Sequence, residues 1–160
     1  MVKFVLDADA LIKLAKAGLL TKFAEHNKCF VPEQVYKEVL RGKEKMYEDA
    51  FITEDAVNKK LIKVLPTKTE QIMEGLGKGE CAALILFKEV NADAIVSDDK
   101  KFLSVLEQKE TPFITTTDAI AFIKIKGHIT KEEAIMALTA IRMLVTEENY
   151  QQAKETIGGK

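Results

Sequence analysis

Acidic residues at the boundaries of apolar segments are the part of this sequence best suited to chemistry. Asp7 ends the first apolar run, and Glu80 opens a long apolar helix pattern. The pair Asp98-Asp99 follows a second short apolar run. Carboxylates gathered in one place repel each other unless a cation neutralises them or they share a proton. Oxygen ligands without histidine or cysteine favour a hard ion, so the pattern predicts a site for Mg²⁺ or Mn²⁺.

A parallel β-sheet would bring these carboxylates together. Val2–Leu6 reads as a strand that ends at Asp7, and a second buried strand runs into Asp98-Asp99. Glu80 begins a helix after Gly77 and Gly79, where unpaired N–H groups and the helix dipole favour an ionised carboxylate. Strand carboxyl ends and the amino ends of the following helices share one edge of such a sheet. The carboxylates are therefore expected to converge there.

Strand and helix patterns alternate along the chain, which predicts an α/β fold with a mostly parallel sheet covered by helices on both faces, in three layers. Gly18 is expected to end the first helix, with Lys13 and Lys16 facing outward. Helices are also expected after Pro32, ending at Gly42, and from a capping box at Thr130. Further predicted helices cover 19–25, 46–60, 67–73, 100–106 and 116–127, further strands cover 29–31, 61–65 and 112–115, and the last dozen residues are expected to fray.

Composition limits the class of protein. The 160 residues are 47% apolar and 31% charged, which suits one globular domain over 1–160, with C-terminal helices at about 130–155 packed on it. The 24 basic residues nearly cancel the 25 acidic ones, so the net charge gives no reason for strong non-specific binding to nucleic acid. The two cysteines lack metal or disulfide spacing, and no run is long enough for a membrane span. A cytoplasmic protein without a membrane partner is expected.

Four segments resemble, in order, the motifs of the PIN domain family, the metal-dependent ribonuclease fold of VapC-type toxins and related nucleases. They are VLDADALI at 5–12, VPEQVYKEVL at 31–40, GKGE at 77–80 and AIVSDDKKF at 94–102. Together they extend over about the first two-thirds of the chain. The glycine–glutamate segment and the doubled aspartate look closest to a mainly prokaryotic branch of the family.

The resemblance implies a role for each matching residue. The implied catalytic acids are Asp7, Glu38, Glu80 and Asp99. The implied metal ligands are Asp7, Glu80 and Asp99, with Asp98 as a helper. Ser97 would orient the Asp99 carboxylate, and Asp9 stands where Asn or Ser is more usual. Contacts to the RNA backbone are expected from Arg41, Lys43, Lys100 and Lys101. The implied activity is that of a Mg²⁺- or Mn²⁺-dependent endoribonuclease that leaves a 5′-phosphate and a 3′-hydroxyl. RNA would be the substrate, and the protein would act as a toxin or as an RNA-processing enzyme; an antitoxin protein and a second copy of the chain are the other implied partners.

Structural interpretations remain open for each acid taken singly. Asp9 suits a helix cap, and the pair Asp98-Asp99 suits an ordinary turn and cap. Glu38 suits a solvated helix residue beside Arg41, and Glu80 suits the helix dipole. Two other functions also remain. A PIN-like fold could bind RNA or a protein without catalysis. Alternatively, Asp7-Ala-Asp9 resembles the opening of haloacid-dehalogenase-type phosphatases, in which Asp7 would be the nucleophile.

Overall fold

The computed structural model describes residues 1–68 and 72–158, and its centre is a five-stranded parallel sheet. The strands are β1 (Lys3–Leu6), β2 (Lys28–Pro32), β3 (Ile62–Leu65), β4 (Ala94–Val96) and β5 (Phe113–Ile114), in the order β3-β2-β1-β4-β5. Nine α-helices flank the sheet within the described ranges. They are α1 (Ala8–Lys16), α2 (Leu20–His26), α3 (Glu33–Leu40), α4 (Glu48–Asn58), α5 (Lys78–Glu89), α6 (Lys100–Gln108), α7 (Thr116–Ile125), α8 (Lys131–Ile141) and α9 (Glu147–Gly158). The predicted three-layer α/β/α fold is confirmed.

Strand β1 is central, and its register brings two acidic segments to one edge of the sheet. Leu6 pairs with Val96 of β4, so the residues that follow each strand leave the sheet side by side. The Asp7 N–H donates to the Val96 carbonyl oxygen at 3.4 Å. Asp7 and Asp98-Asp99 therefore emerge from neighbouring strands at the same carboxyl edge.

Both faces of the central strands β1 and β4 are buried, which explains why these strands are apolar without a polar alternation. On β1, Phe4 and Leu6 pack into a core that is shared with helices α1, α2, α7, α8 and α9. Val5 points to the opposite face and packs with Leu84 of α5 and Phe102 of α6. The two buried cysteines, Cys29 and Cys81, are free thiols.

The chain between α3 and α4 differs from its prediction. Gly42 was expected to end the helix, but α3 ends at Leu40 and continues directly as a 3₁₀ helix over Arg41–Lys45. A Cβ atom at position 42 would lie 3.1 Å from Cδ2 of Tyr47, so the glycine makes room for the aromatic ring rather than for a left-handed turn.

Two other predictions about the elements are wrong, and one is only partly tested. Of the last dozen residues, 149–158 do not fray, because they belong to α9, which buries Tyr150, Ala153 and Ile157; the remaining two lie outside the described residues. Lys13 does not face outward, since its side chain is only 12% exposed. For the helix expected over 67–73, residues 69–71 lie outside the described residues. Within the residues that the structure describes, no helix combines the length and apolarity needed to cross a bilayer.

Candidate active site

A pocket of about 270 Å³ lies at the carboxyl edge of the sheet, where the acidic segments meet. Its lining comes from the amino ends of α1 and α5, from α3 and from the start of α6. The lining residues are Asp7, Ala8, Asp9, Val35, Glu38, Gly77, Lys78, Gly79, Glu80 and Asp99. The structure thus brings together the four acids implied as catalytic, along with Asp9; their roles remain predictions.

Asp7 is the most deeply buried acid of the pocket, with 5% of its surface exposed. Its Oδ1 accepts the Ala10 N–H at 2.8 Å and so caps α1, the role that the sequence suggested for Asp9. Burial raises the pKa of Asp7 to about 7; hydrogen bonds from Ser97 and Ala10 oppose the rise, and the nearby Asp9 and Asp98 add to it. The Asp7 carboxyl therefore gains or loses its proton near neutrality, and a cation beside it would favour the ionised form.

Glu80 and Asp99 also cap the helices that they begin. Glu80 Oε1 accepts the Gly77 N–H at 3.0 Å, and Asp99 Oδ1 accepts the Phe102 N–H at 2.9 Å. Each bond uses one carboxylate oxygen, and the amino ends of three helices line the pocket. Because a helix amino end carries partial positive charge, it offsets part of the repulsion between these acids. Capping and a role in the pocket are therefore compatible.

Glu38 reaches the pocket from α3, and a glycine on α5 allows the approach. A Cβ atom at Gly79 would lie 3.3 Å from Cγ2 of Val35 and 3.9 Å from Oε1 of Glu38. The missing side chain lets the first turn of α5 lie directly against α3. Glu38 is exposed to solvent, unlike Asp7, so it remains accessible to a ligand in the pocket.

Asp98 is not part of the pocket lining and binds Lys13, a residue for which the sequence suggested no role in the site. The Lys13 ammonium lies 3.0 Å from Asp98 Oδ2 and 2.9 Å from Asp9 Oδ2. Asp98 Oδ1 also accepts the Thr116 N–H at 2.7 Å. The spacing of Asp9 and Lys13 was the available sequence signal, since residues four apart on a helix are neighbours. The contact between Lys13 and Asp98 spans 85 residues and has no local signal.

The implied supporting and RNA-binding residues have varied surroundings. Ser97 Oγ accepts the backbone N–H of Asp99 at 3.2 Å, so it contacts that residue's main chain. Lys43 donates to Glu54 at 2.6 Å. Lys100 and Lys101 are exposed in the first turn of α6 and Arg41 lines a neighbouring groove, whereas Lys78, which was missed, lines the pocket itself.

The side chains that line the pocket fit a hard divalent cation, because their possible metal ligands are carboxylate oxygens. Asp7, Glu80 and Asp99, the ligands that the family resemblance implies, are all among the residues that line the pocket. Among the described residues, however, no three acidic, histidine or cysteine side chains lie close enough together to hold one ion. The residue types fit, and at least one of these side chains would have to turn toward the others to hold a cation.

Two comparisons with known proteins complete the description of the site. A search of curated proteins found no match. A family model described as a PIN domain matches residues 3–159, nearly the whole chain and well beyond the two-thirds that the motifs cover. The chain, with its parallel sheet and its acidic pocket at the carboxyl edge, belongs to the PIN domain family.

Proposed function

We propose that this protein is an endoribonuclease that hydrolyses RNA phosphodiester bonds with the help of Mg²⁺ or Mn²⁺. The observation that carries the proposal is the pocket in which Asp7, Glu38, Glu80 and Asp99 meet. PIN domains are generally nucleases, and membership of the family supports the same reaction class. A pocket with so many carboxylates repels a phosphate, so a nuclease role requires positive charge to enter with the substrate.

Asp7, Glu80 and Asp99 would hold the divalent cation. A cation at that position would neutralise phosphate charge and lower the pKa of a water molecule, which is how such ions assist hydrolysis. The capping bonds fix the Asp7 and Asp99 side chains, so little rotamer freedom is lost when they bind. The longer Glu80 side chain, which is partly exposed, can turn from the Gly77 N–H toward the ion.

Two further side chains would act on the substrate. The exposed Glu38 carboxylate can accept a proton from an attacking water or orient that water. Lys78, at the first position of α5, can contact a phosphate oxygen at the mouth of the pocket. Arg41, Lys100 and Lys101 are exposed and available to the RNA backbone, whereas Lys43 would have to leave Glu54.

The test is cleavage of single-stranded RNA by the purified protein in Mg²⁺, in Mn²⁺ and in chelator. We expect cleavage only with a divalent ion, products with 5′-phosphate and 3′-hydroxyl ends, and a loss of at least about a hundredfold in Asp99→Asn. Asp55→Asn is the matched control, because Asp55 is exposed and its ion pair among the contacts described is with Lys59, the residue that follows α4. Equal cleavage by Asp99→Asn and wild type would contradict the proposal.

The same experiment separates the two other functions. A non-catalytic module would retain RNA on a filter without cutting it in any metal. A haloacid-dehalogenase-type phosphatase would form a phosphoryl adduct on Asp7 with a small phosphate ester, but the PIN match over 3–159 favours the nuclease. A role as a toxin with an antitoxin partner or as a processing enzyme, and pairing with a second copy, are further proposals that co-purification from the native host would test.

A further inference from the structure

A second groove of about 210 Å³ adjoins the acidic pocket. Glu38 lines both cavities, so the groove continues from the pocket along the surface of α3 and the 3₁₀ helix that follows it. Arg41, Gly42, Lys45 and Tyr47 also line it. Each cavity is smaller than the roughly 300–1,000 Å³ of a typical small-molecule pocket, which suits part of an extended polymer better than a compact ligand.

Tyr47 presents an aromatic ring to solvent in a position that the backbone fixes. The residue is 51% exposed. Its N–H donates to the Gly42 carbonyl oxygen at 2.9 Å, and the edge of its ring occupies the space left by the missing Gly42 side chain. An exposed aromatic ring that is already ordered loses little conformational entropy when a flat ligand stacks on it.

Positive charge accompanies this ring. Arg41 and Lys45 are both exposed, and the Lys45 ammonium lies 5.9 Å from the centroid of the Tyr47 ring. Lys43, between them in sequence, is already bound to Glu54 at 2.6 Å. An aromatic platform flanked by cations is the arrangement with which proteins bind single-stranded nucleic acid, since bases stack on the ring and phosphates contact the cations.

We infer that this groove is a subsite for one nucleotide of single-stranded RNA next to the phosphodiester in the acidic pocket, with its base stacked on Tyr47 and its phosphate contacting Arg41 or Lys45. The inference rests on the proposed function for the identity of the polymer. The proposed subsite adds a contact to a base of the RNA, whereas the lysines named under the proposed function would contact only the phosphate backbone.

The chain contains no tryptophan, so a single introduced tryptophan reports on its own site. Tyr47→Trp keeps an aromatic platform in the groove, and Met143→Trp places the same probe at a residue that is 93% exposed and outside the groove. Each variant is titrated with oligouridylate in chelator, where no cleavage occurs. We expect the RNA to quench the fluorescence of Trp at 47 and to leave that of Trp at 143 unchanged. An abasic oligonucleotide of the same length should quench neither.

Substitutions that remove the ring provide an independent readout. By fluorescence anisotropy with labelled oligouridylate, Tyr47→Ala should bind about tenfold more weakly, and Tyr47→Phe should bind as the wild type does. Circular dichroism and thermal midpoints establish that each variant is folded, and if Tyr47→Trp is not, the Ala and Phe pair decides. Equal quenching by the abasic oligonucleotide, no quenching, or unchanged affinity of Tyr47→Ala would overturn the inference.

Cleavage by the wild type, measured in parallel with Mn²⁺, separates this inference from the proposed function. Quenching at position 47 without cleavage in any metal would leave the stacking subsite standing and contradict the nuclease. Cleavage without quenching would leave the nuclease standing and contradict the subsite.

Discussion

Asp7 caps α1 and lines the acidic pocket, and its surroundings make opposite demands on its charge. The bond from Ala10 N–H favours a carboxylate, but burial against apolar neighbours favours a neutral acid, and burial dominates. The resulting pKa of about 7 lies well above the ordinary value for aspartate. Because ionisation of the Asp7 carboxyl is costly in this environment, a cation bound beside it would strongly stabilise the ionised form.

Replacing Asp7 by Asn should change how stability depends on pH. Folded Asp7 keeps its proton up to a pH of about 7, whereas the unfolded chain releases it near pH 4. The free energy of unfolding of the wild type should therefore decrease as the pH rises from about 4 to about 7. The loss approaches about 1.4 kcal/mol per pH unit, up to about 4 kcal/mol in total. Asp7→Asn has no such proton and should become more stable relative to wild type across this window. Urea denaturation in chelator at pH 4 to 8 measures the difference.

Asp55→Asn supplies the control for this series, because Asp55 is exposed and its removal should leave a curve parallel to that of the wild type. Parallel curves for Asp7→Asn and wild type would show that the Asp7 carboxyl titrates normally in the folded protein.

Elements differ in how much of their placement could be read from the sequence. Strands β1 and β4 are almost wholly apolar because both faces of the sheet are covered there, and helix α5 is buried from Cys81 to Leu86. Such apolar runs are recognisable without a structure. Their order also predicted that Asp7, Glu80 and Asp99 would share one edge, since parallel strands end together. Contacts between distant elements carry no such signal. The approach of α3 to Gly79 depends on tertiary packing, so local patterns could not predict it.

Lys13 links three elements through a single carboxylate. It extends from α1 to Asp98, which follows β4, and Asp98 in turn accepts an N–H from the first turn of α7. The Lys13 and Asp98 side chains are 12% and 7% exposed. Removing the lysine would leave a nearly buried carboxylate with only one of its two described partners beside the acidic pocket.

Lys13→Met should therefore destabilise the fold by about 3 kcal/mol, because it breaks a mostly buried ion pair and leaves the acid uncompensated. The double variant Lys13→Met with Asp98→Asn should regain part of that loss. Lys59→Met is the matched control: its ammonium pairs with Asp55 at 2.9 Å, but the side chains are 60% and 57% exposed, so the change should cost less than about 1 kcal/mol. Urea denaturation at pH 7 measures all three, and equal costs for Lys13→Met and Lys59→Met would contradict this account.

The match to the PIN family includes the last described helix, α9. The motifs in the sequence lie in the first two-thirds of the chain, and the polar final residues suggested a fraying tail, yet the family match continues to residue 159. Helix α9 is polar on most of its surface because only a narrow stripe is covered. Tyr150, Ala153 and Ile157 form that stripe and belong to the same apolar core as α7 and β1. The polar composition of the last residues therefore did not indicate that three positions of the helix are buried.

Ile157→Ala distinguishes a docked α9 from a fraying one. Because Ile157 is fully buried, the truncation should lower the free energy of unfolding by about 2–5 kcal/mol through lost burial and the cavity left behind. A frayed terminus would lose almost nothing. Glu155→Ala, two residues away on the exposed side of the helix, is the control and should stay within about 0.5 kcal/mol of wild type. Urea denaturation measures both, and hydrogen exchange in α9 gives a second readout, since a docked helix should protect its amides to nearly the extent seen in β1. If Ile157→Ala unfolds at the wild-type urea concentration, α9 adds nothing to the core and the domain ends before it.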